Sequence, residues 1–214
     1  MNMRKTYQNI AKAFGLILML IFNSCASITG FEEGRTNGEE VHSLLVSANY
    51  TYLPDLSEGS IIGDSGGAPM IEASYKYGIK EKLDIGIRAN TFLNLAVNGK
   101  YQLVGDQQSN FALASGLELG IFAGLSVWNV QIPLFASIYP KDNICIYLNP
   151  RYIFQTAGAQ NEGANYLGTN FGILIGKKNK LGIDLAYYNV GASNEFATML
   201  NFGVGGKFVF GNGN

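Results

Sequence analysis

The chain has 214 residues, a length that allows one domain. Charged residues make up 14% of it, well below the ~25% of typical soluble domains, whereas glycine (27 residues) and aromatic side chains (12%) are abundant. The formal net charge is −1 and no basic cluster stands out, which argues against nucleic acid as a partner.

The first residues follow the order of a secretory signal. Arg4, Lys5 and Lys12 precede the apolar run Ala13–Phe22, which is too short to cross a bilayer as a helix. We therefore predict a signal peptide over residues 1–24.

A cysteine follows the apolar run directly, in the sequence NSCAS. This stretch resembles a bacterial lipoprotein signal, which implies that Cys25 becomes the first mature residue and carries lipid. Phe22 and Asn23 depart from the usual pattern, and cleavage near Ala26 without lipidation is the alternative. The polar, glycine-containing residues 25–40 are predicted to form a lipidated tether. Entry of this segment into a barrel as a plug is an alternative that its short length disfavours.

From residue 41 onward, apolar and polar residues alternate almost without interruption, which predicts β-strands. Glycine-rich connections, such as Pro54–Ala68 and Thr156–Ala164, separate some of the strands, and short polar turns separate others. The predicted strands are Val41–Leu53, Pro69–Ile79, Lys82–Asn90, Leu95–Val104, Phe111–Ile121, Ser126–Tyr139, Ile144–Gln155, Asn165–Gly176, Leu181–Asn189 and Phe196–Phe210.

Two arrangements of such strands keep the apolar face away from water. A soluble barrel turns its apolar face inward around a ligand, whereas a membrane barrel turns that face toward lipid. The polar face favours the membrane barrel, because it consists mainly of Gly, Ala, Asn, Ser and Gln, whereas a water-exposed exterior is roughly 25–35% charged. Aromatic residues also gather near the strand ends, as in the interfacial girdles of membrane barrels. Examples are Tyr50 and Trp128 at one end and Tyr75 and Phe208 at the other.

Over Val41–Phe210 the chain resembles the bacterial outer-membrane β-barrel class. The stretch YKYGIKEKLDIGIRA is similar to its recurrent strand–turn–strand unit. The resemblance implies an all-β, antiparallel up-and-down transmembrane barrel of about ten strands over residues 41–214, with both termini in the periplasm. Phe202, Val204, Phe208 and Phe210 resemble the C-terminal signal read by the barrel-assembly machinery, which is therefore an expected partner. The trailing GNGN departs from that signal.

Nine charged residues fall on the polar face and are predicted to line the lumen. Acids and bases are nearly balanced, so we expect an ion-pair network inside a narrow, packed barrel, because a stranded buried charge costs several kcal/mol. The alternative is a polar conduit for a small solute, in which Arg88 and Arg151 attract anions. The nine residues are Glu72, Lys76, Asp84, Arg88, Lys100, Glu118, Arg151, Asp184 and Lys207.

Residues for catalysis or metal binding are scarce. His42 is the one histidine, and its place on the apolar face at a strand end predicts an interfacial residue. A hydrolase of the Ser-His type needs a histidine beside its nucleophile, and zinc sites need His or Cys clusters. We therefore expect no enzyme activity, no metal and no cofactor.

Together these patterns predict a non-enzymatic outer-membrane barrel anchored by lipid at Cys25. Its expected role is structural, within the cell envelope, with minor passage of a small solute, and its expected partners include the outer-membrane lipids. One alternative is a soluble periplasmic barrel lipoprotein that binds a lipid or another apolar ligand. A second is a surface binding module that uses the loop Pro54–Ala68.

Overall fold

A computed structural model describes residues 27–53, 66–122, 127–157, 162–192 and 195–211. Ten antiparallel strands follow one another around a closed barrel, in which β1 pairs with both β2 and β10. In the part of the chain that is described, no helix is long and apolar enough to cross a membrane. The strands are β1 (His42–Leu53), β2 (Gly66–Lys80), β3 (Leu83–Asn90), β4 (Leu95–Val104), β5 (Phe111–Phe122), β6 (Val127–Lys141), β7 (Ile144–Ala157), β8 (Glu162–Ile175), β9 (Lys180–Ala192) and β10 (Glu195–Phe210).

The predicted fold class is therefore confirmed, and each predicted strand is present. The largest differences are three residues: β2 begins at Gly66 and not at Pro69, β8 begins at Glu162 and not at Asn165, and β9 ends at Ala192 and not at Asn189. The added residues are mostly glycine and alanine, which give no alternation of apolar and polar side chains from which a boundary could be predicted.

The two ends of the barrel differ. At the short-turn end lie the turns 81–82, 105–110, 142–143 and 176–179, together with the start of β1 and the end of β10. The opposite end, here called the loop end, carries the connections that include residues 54–65 and 158–161. The connection over residues 54–65 is the longest between consecutive strands, and it distinguishes the loop end from the short-turn end.

The apolar face of every strand points away from the barrel. Ile85 and Leu117 are 47% and 49% exposed, and the other large exposed apolar residues of the strands share their parity, apart from Val104 at the irregular end of β4. The alternative of a soluble carrier requires these side chains to converge inside, and it is therefore wrong. A continuous apolar outer surface is what a barrel needs in contact with hydrocarbon.

The main departure from the sequence prediction is the segment before β1. Ser27 to Gly34 and Thr36 are all buried, because the chain runs through the inside of the barrel before β1 begins. For these residues the prediction of a tether below the barrel is wrong, and the disfavoured alternative, a plug, is what the structure shows. We call residues 27–36 the plug.

The outward orientation can be tested with two substitutions at different membrane depths on β9. Leu185 lies in the middle of this strand and Leu181 near its short-turn end, and both side chains point outward. We expect Leu185→Arg to cost ~2–4 kcal/mol of folding free energy in lipid bilayers and Leu181→Arg only ~0–1, because the cost of a lipid-facing charge falls toward the interface. Urea unfolding in lipid vesicles measures both, and equal costs would contradict the orientation.

Candidate functional site: a plugged lumen

The plug descends through the lumen toward the short-turn end. Ile28 packs in the loop-end half of the barrel against a cluster that includes Tyr188 and Met199. Phe31 packs lower, against a second cluster that includes Leu45 and Tyr147. Each of these side chains is at most 5% exposed, so the plug is held by apolar contact at two levels.

Two adjacent glutamates form the charged centre of the plug. Glu32 Oε1 lies 2.7 Å from Lys76 Nζ, and its Oε2 lies 3.5 Å from Lys100 Nζ. Glu33 pairs with Lys207 Nζ at 2.9 Å and also with Lys180. These lysines come from β2, β4, β10 and β9, so the two carboxylates tie together strands on different sides of the barrel.

The plug has no regular secondary structure, and side chains of the wall satisfy its backbone instead. Asn149 Nδ2 donates to the carbonyl oxygens of Gly30 and Glu32 at 2.8 and 2.9 Å. The backbone N–H of Gly30 in turn donates to Asp184 Oδ2 at 3.1 Å. Because buried backbone groups without partners are costly, these wall side chains fit the barrel to this particular segment.

Glycine allows the plug to approach the wall closely. A Cβ atom at Gly34 would overlap the carbonyl oxygen of Ala112, which is rigid backbone of β5. The Gly34 N–H uses this proximity to donate to Ser137 Oγ at 2.7 Å. The chain then leaves the lumen through Gly38, whose φ of +91° favours glycine, and enters β1.

All nine charged residues predicted to line the lumen are buried inside the barrel. The wall pairs some of them: Arg88 Nε lies 3.7 Å from Glu72 and 3.5 Å from Glu118, and Lys100 lies 4.0 Å from Asp84. The plug contacts the rest. Lys76 and Lys207 reach its glutamates, Asp184 accepts from Gly30, and Arg151 donates to the carbonyl oxygens of Ser27 and Thr29.

The charge of the wall explains why the plug carries two glutamates. Among the described side chains, six basic ones face the lumen from the wall, against four acidic ones. Glu32 and Glu33 offset this surplus of two, and Arg35 of the plug, which donates to the Ser109 carbonyl oxygen and lies over the Tyr139 ring, adds one positive charge back. Neither these plug residues nor Lys180 was among the lumen residues predicted from the sequence. The six basic residues are Lys76, Arg88, Lys100, Arg151, Lys180 and Lys207, and the four acidic residues are Glu72, Asp84, Glu118 and Asp184.

The two arginines that a solute conduit would use are engaged. Arg151 Nη1 donates to Gln131 Oε1 at 3.1 Å, besides its two bonds to the plug. Beside the plug, a cavity lined by both arginines and Asn98 has a volume of only about 10 Å³. Such a volume holds about one water molecule.

His42 lies on the outer surface at the short-turn end. Its Nδ1 is 2.6 Å from the hydroxyl of Tyr75, and its ring packs 4.8 Å from that of Tyr77. The described residues hold no group of three or more His, Cys, Asp or Glu side chains that could bind a metal ion. Cys25 and loop residues 54–65 lie outside the described residues, so lipidation and surface binding stay predictions.

The two plug glutamates should make plugging sensitive to acid. Burial raises the pKa of Glu32, but the ammonium groups of Lys76, Lys100 and Lys207 outweigh it and hold the pKa below its ordinary value. For Glu33, Lys207 and Lys180 likewise outweigh the effect of burial and lower the pKa.

A lowered pKa stabilises the folded state above the ordinary carboxyl pKa of ~4.3, and this contribution is lost as the pH falls through the folded value. We therefore expect the amide protons of residues 27–36 to stay protected at neutral pH and to lose protection only below about pH 4. Hydrogen exchange followed by mass spectrometry, corrected for intrinsic rates, measures this. Protection that stays constant down to strong acid would contradict the role of the two carboxylates.

Comparison with known proteins gives no match to a family model and none among curated proteins. Among solved structures, the chain is similar to an outer membrane channel from Pseudomonas putida F1, with 10% identity, 86% of this chain and 100% of that chain covered, and a TM-score of 0.46. Neisserial surface protein A shows 14% identity, with 80% and 100% covered and a TM-score of 0.34. Outer membrane protein OprG from Pseudomonas aeruginosa shows 10% identity, with 82% and 99% covered and a TM-score of 0.35. At these identities and scores, the likeness carries no information on function.

Proposed function

We propose that this protein is a closed, non-enzymatic barrel of the bacterial outer membrane whose lumen is blocked by its own N-terminal segment. The observation that carries the proposal is the burial of the plug, with Glu32 and Glu33 paired to lysines of four strands. A barrel of ten strands is narrow to begin with, since about eight strands leave room only for side chains. The plug occupies much of the remaining space, which supports a structural role in the envelope over solute passage.

The expected partners in this role are lipids of the outer membrane, in contact with the apolar outer face. The barrel-assembly machinery is the expected partner during insertion. The alternating apolar residues of β10, among them Phe202 and Phe210, support this expectation because they point outward at the seam where the barrel closes.

Lipid anchoring at Cys25 and insertion of the plug require different positions of the same N-terminal segment. Ser27 is 1% exposed and contacts Glu72 inside the lumen. Two residues of chain reach about 7 Å at most, so an acyl anchor in the leaflet at the short-turn end would require the plug to leave the lumen. We therefore propose that an anchored form and a plugged form exclude each other in that leaflet.

Planar-bilayer recording of the wild-type protein at neutral pH tests the closed barrel. We expect no steady openings, because the plug is buried in the lumen and the cavity beside it has room for about one water molecule. Steady openings of the wild-type protein would contradict the proposal and would restore the solute conduit as the better reading.

A further inference from the structure

The outer surface of the barrel carries an apolar groove of about 540 Å³ across β2 to β5. Ile85, Ile87, Val97, Leu117 and Leu119 line it, and Tyr75 and Tyr77 flank it on the β2 side, where they pair with Ile87 and Ile85. This volume lies within the range of small-ligand sites, which is roughly 300–1,000 Å³. The groove opens onto the hydrocarbon face and not onto the lumen.

The groove is open because no neighbouring side chain lies over Gly99 on the outward face. A Cβ atom at Gly99 would find the backbone oxygen of Asp84 as its nearest neighbour, 4.0 Å away. Other glycines of the outward face lie under neighbouring side chains, which occupy the space that a Cβ would take. These are Gly67 under Tyr50, Gly163 under Phe154, and Gly206 between Leu181 and Phe208.

The β2 side of the groove carries two tyrosines. The Tyr75 hydroxyl hydrogen-bonds with His42 Nδ1, and the Tyr77 ring contacts the ring of the same histidine, which begins β1 at the short-turn end. Three residues past Tyr77, the turn between β2 and β3 exposes Lys80, Glu81 and Lys82, so two ammonium groups flank one carboxylate. Tyrosines near strand ends are typical of the membrane interface, and exposed lysines attract phosphate.

We propose that this groove is a binding site for one phospholipid of the leaflet at the short-turn end. An acyl chain lies in the groove over Gly99, the glycerol region meets Tyr75 and Tyr77, and the phosphate pairs with Lys80 and Lys82. The two parts of the site match the two parts of the ligand: the strands are apolar, and at the turn Lys80 and Lys82 outweigh the single carboxylate of Glu81. A lipid bound there differs from bulk lipid because its acyl chain fills the open space over Gly99. At the other outward-facing glycines named above, neighbouring side chains already occupy that space.

Native mass spectrometry of the detergent-solubilised protein, titrated with phosphatidylglycerol, tests the site. We expect one tightly bound lipid per chain, and Gly99→Leu to weaken its binding at least tenfold because the side chain fills the groove. The double variant Lys80→Gln, Lys82→Gln should weaken the binding of phosphatidylglycerol several-fold and leave the packing of the barrel wall unchanged. Val204→Phe adds comparable bulk to the outward face of β10 and should leave binding unchanged.

Heat-modifiable gel migration shows whether each variant is folded. Folded Gly99→Leu protein that binds the lipid as tightly as wild type would overturn the proposal. So would an equal loss in Val204→Phe, which would indicate unspecific surface lipid. A wild-type dimer that Gly99→Leu converts to monomer would also overturn it, because the occupant of the groove would then be a second copy of the chain.

Discussion

Replacement of Glu32 by Gln is expected to destabilise the barrel by about 3–5 kcal/mol, the usual cost of removing one partner from a buried ion pair. The amide keeps the shape of the side chain but removes its charge. Lys76, 2.7 Å away, and Lys100, 3.5 Å away, then remain buried with too little negative charge around them. Urea unfolding in lipid vesicles measures the loss.

The second half of this prediction is a rescue. Lys76→Gln in the Glu32→Gln background removes the stranded ammonium group, so the double variant should be more stable than Glu32→Gln alone. Glu39→Gln is the matched control, because Glu39 is exposed just after the plug and its loss should fall within about 0.5 kcal/mol of wild type. Equal effects of Glu32→Gln and Glu39→Gln would mean that Glu32 does not lie in the lumen.

Replacement of Gly34 by Val is expected to expel the plug while leaving the barrel wall intact. The added Cβ would overlap the backbone of Ala112, and β5 cannot yield there without disturbing its pairing with β6, in which Ala112 lies opposite Ser137. The plug is the part that can move, because side chains and not a strand ladder hold it. We expect the hydrogen-exchange protection of residues 27–36 to be lost and steady openings to appear in planar bilayers.

The matched control for this variant is Gly99→Val. Gly99 is also a glycine beside the wall backbone, but a side chain there meets open space on the outer surface. We expect Gly99→Val to remain closed and its plug to remain protected. A Gly34→Val protein with a protected plug and no openings would contradict the close approach that the structure shows.

The strands were predictable because each carries its own signal. Ile85, Ile87 and Leu117 alternate with inward residues, and a period of two places a side chain on one face whatever the rest of the chain does. The same alternation separated lumen from lipid, so the nine inward charges could be named from sequence. Their partners could not, because pairing depends on which strands and segments meet across the lumen.

The plug escaped prediction for a physical reason. Residues 27–36 have no periodicity, since wall side chains such as Asn149 and Asp184, and not a repeating strand or helix ladder, bond to their backbone groups. One signal was present in the sequence: two adjacent acids, Glu32 and Glu33, stand ahead of a barrel whose inward face is richer in bases. The nine predicted charges hold five bases against four acids, and Lys180, at the first position of its strand, raises the surplus of the wall to two.

The position of the plug inside the barrel can be measured directly by solid-state NMR of the protein in lipid bilayers. The account predicts a strong dipolar contact between the Glu32 carboxylate carbon and the Lys76 ammonium nitrogen, whose oxygen and nitrogen atoms are 2.7 Å apart. The contact between Arg88 Nε and the Glu118 carboxylate, 3.5 Å apart within the wall, is the internal reference. Observation of both contacts would place the N-terminal segment in the lumen, whereas the Arg88–Glu118 contact without the Glu32–Lys76 contact would contradict the account.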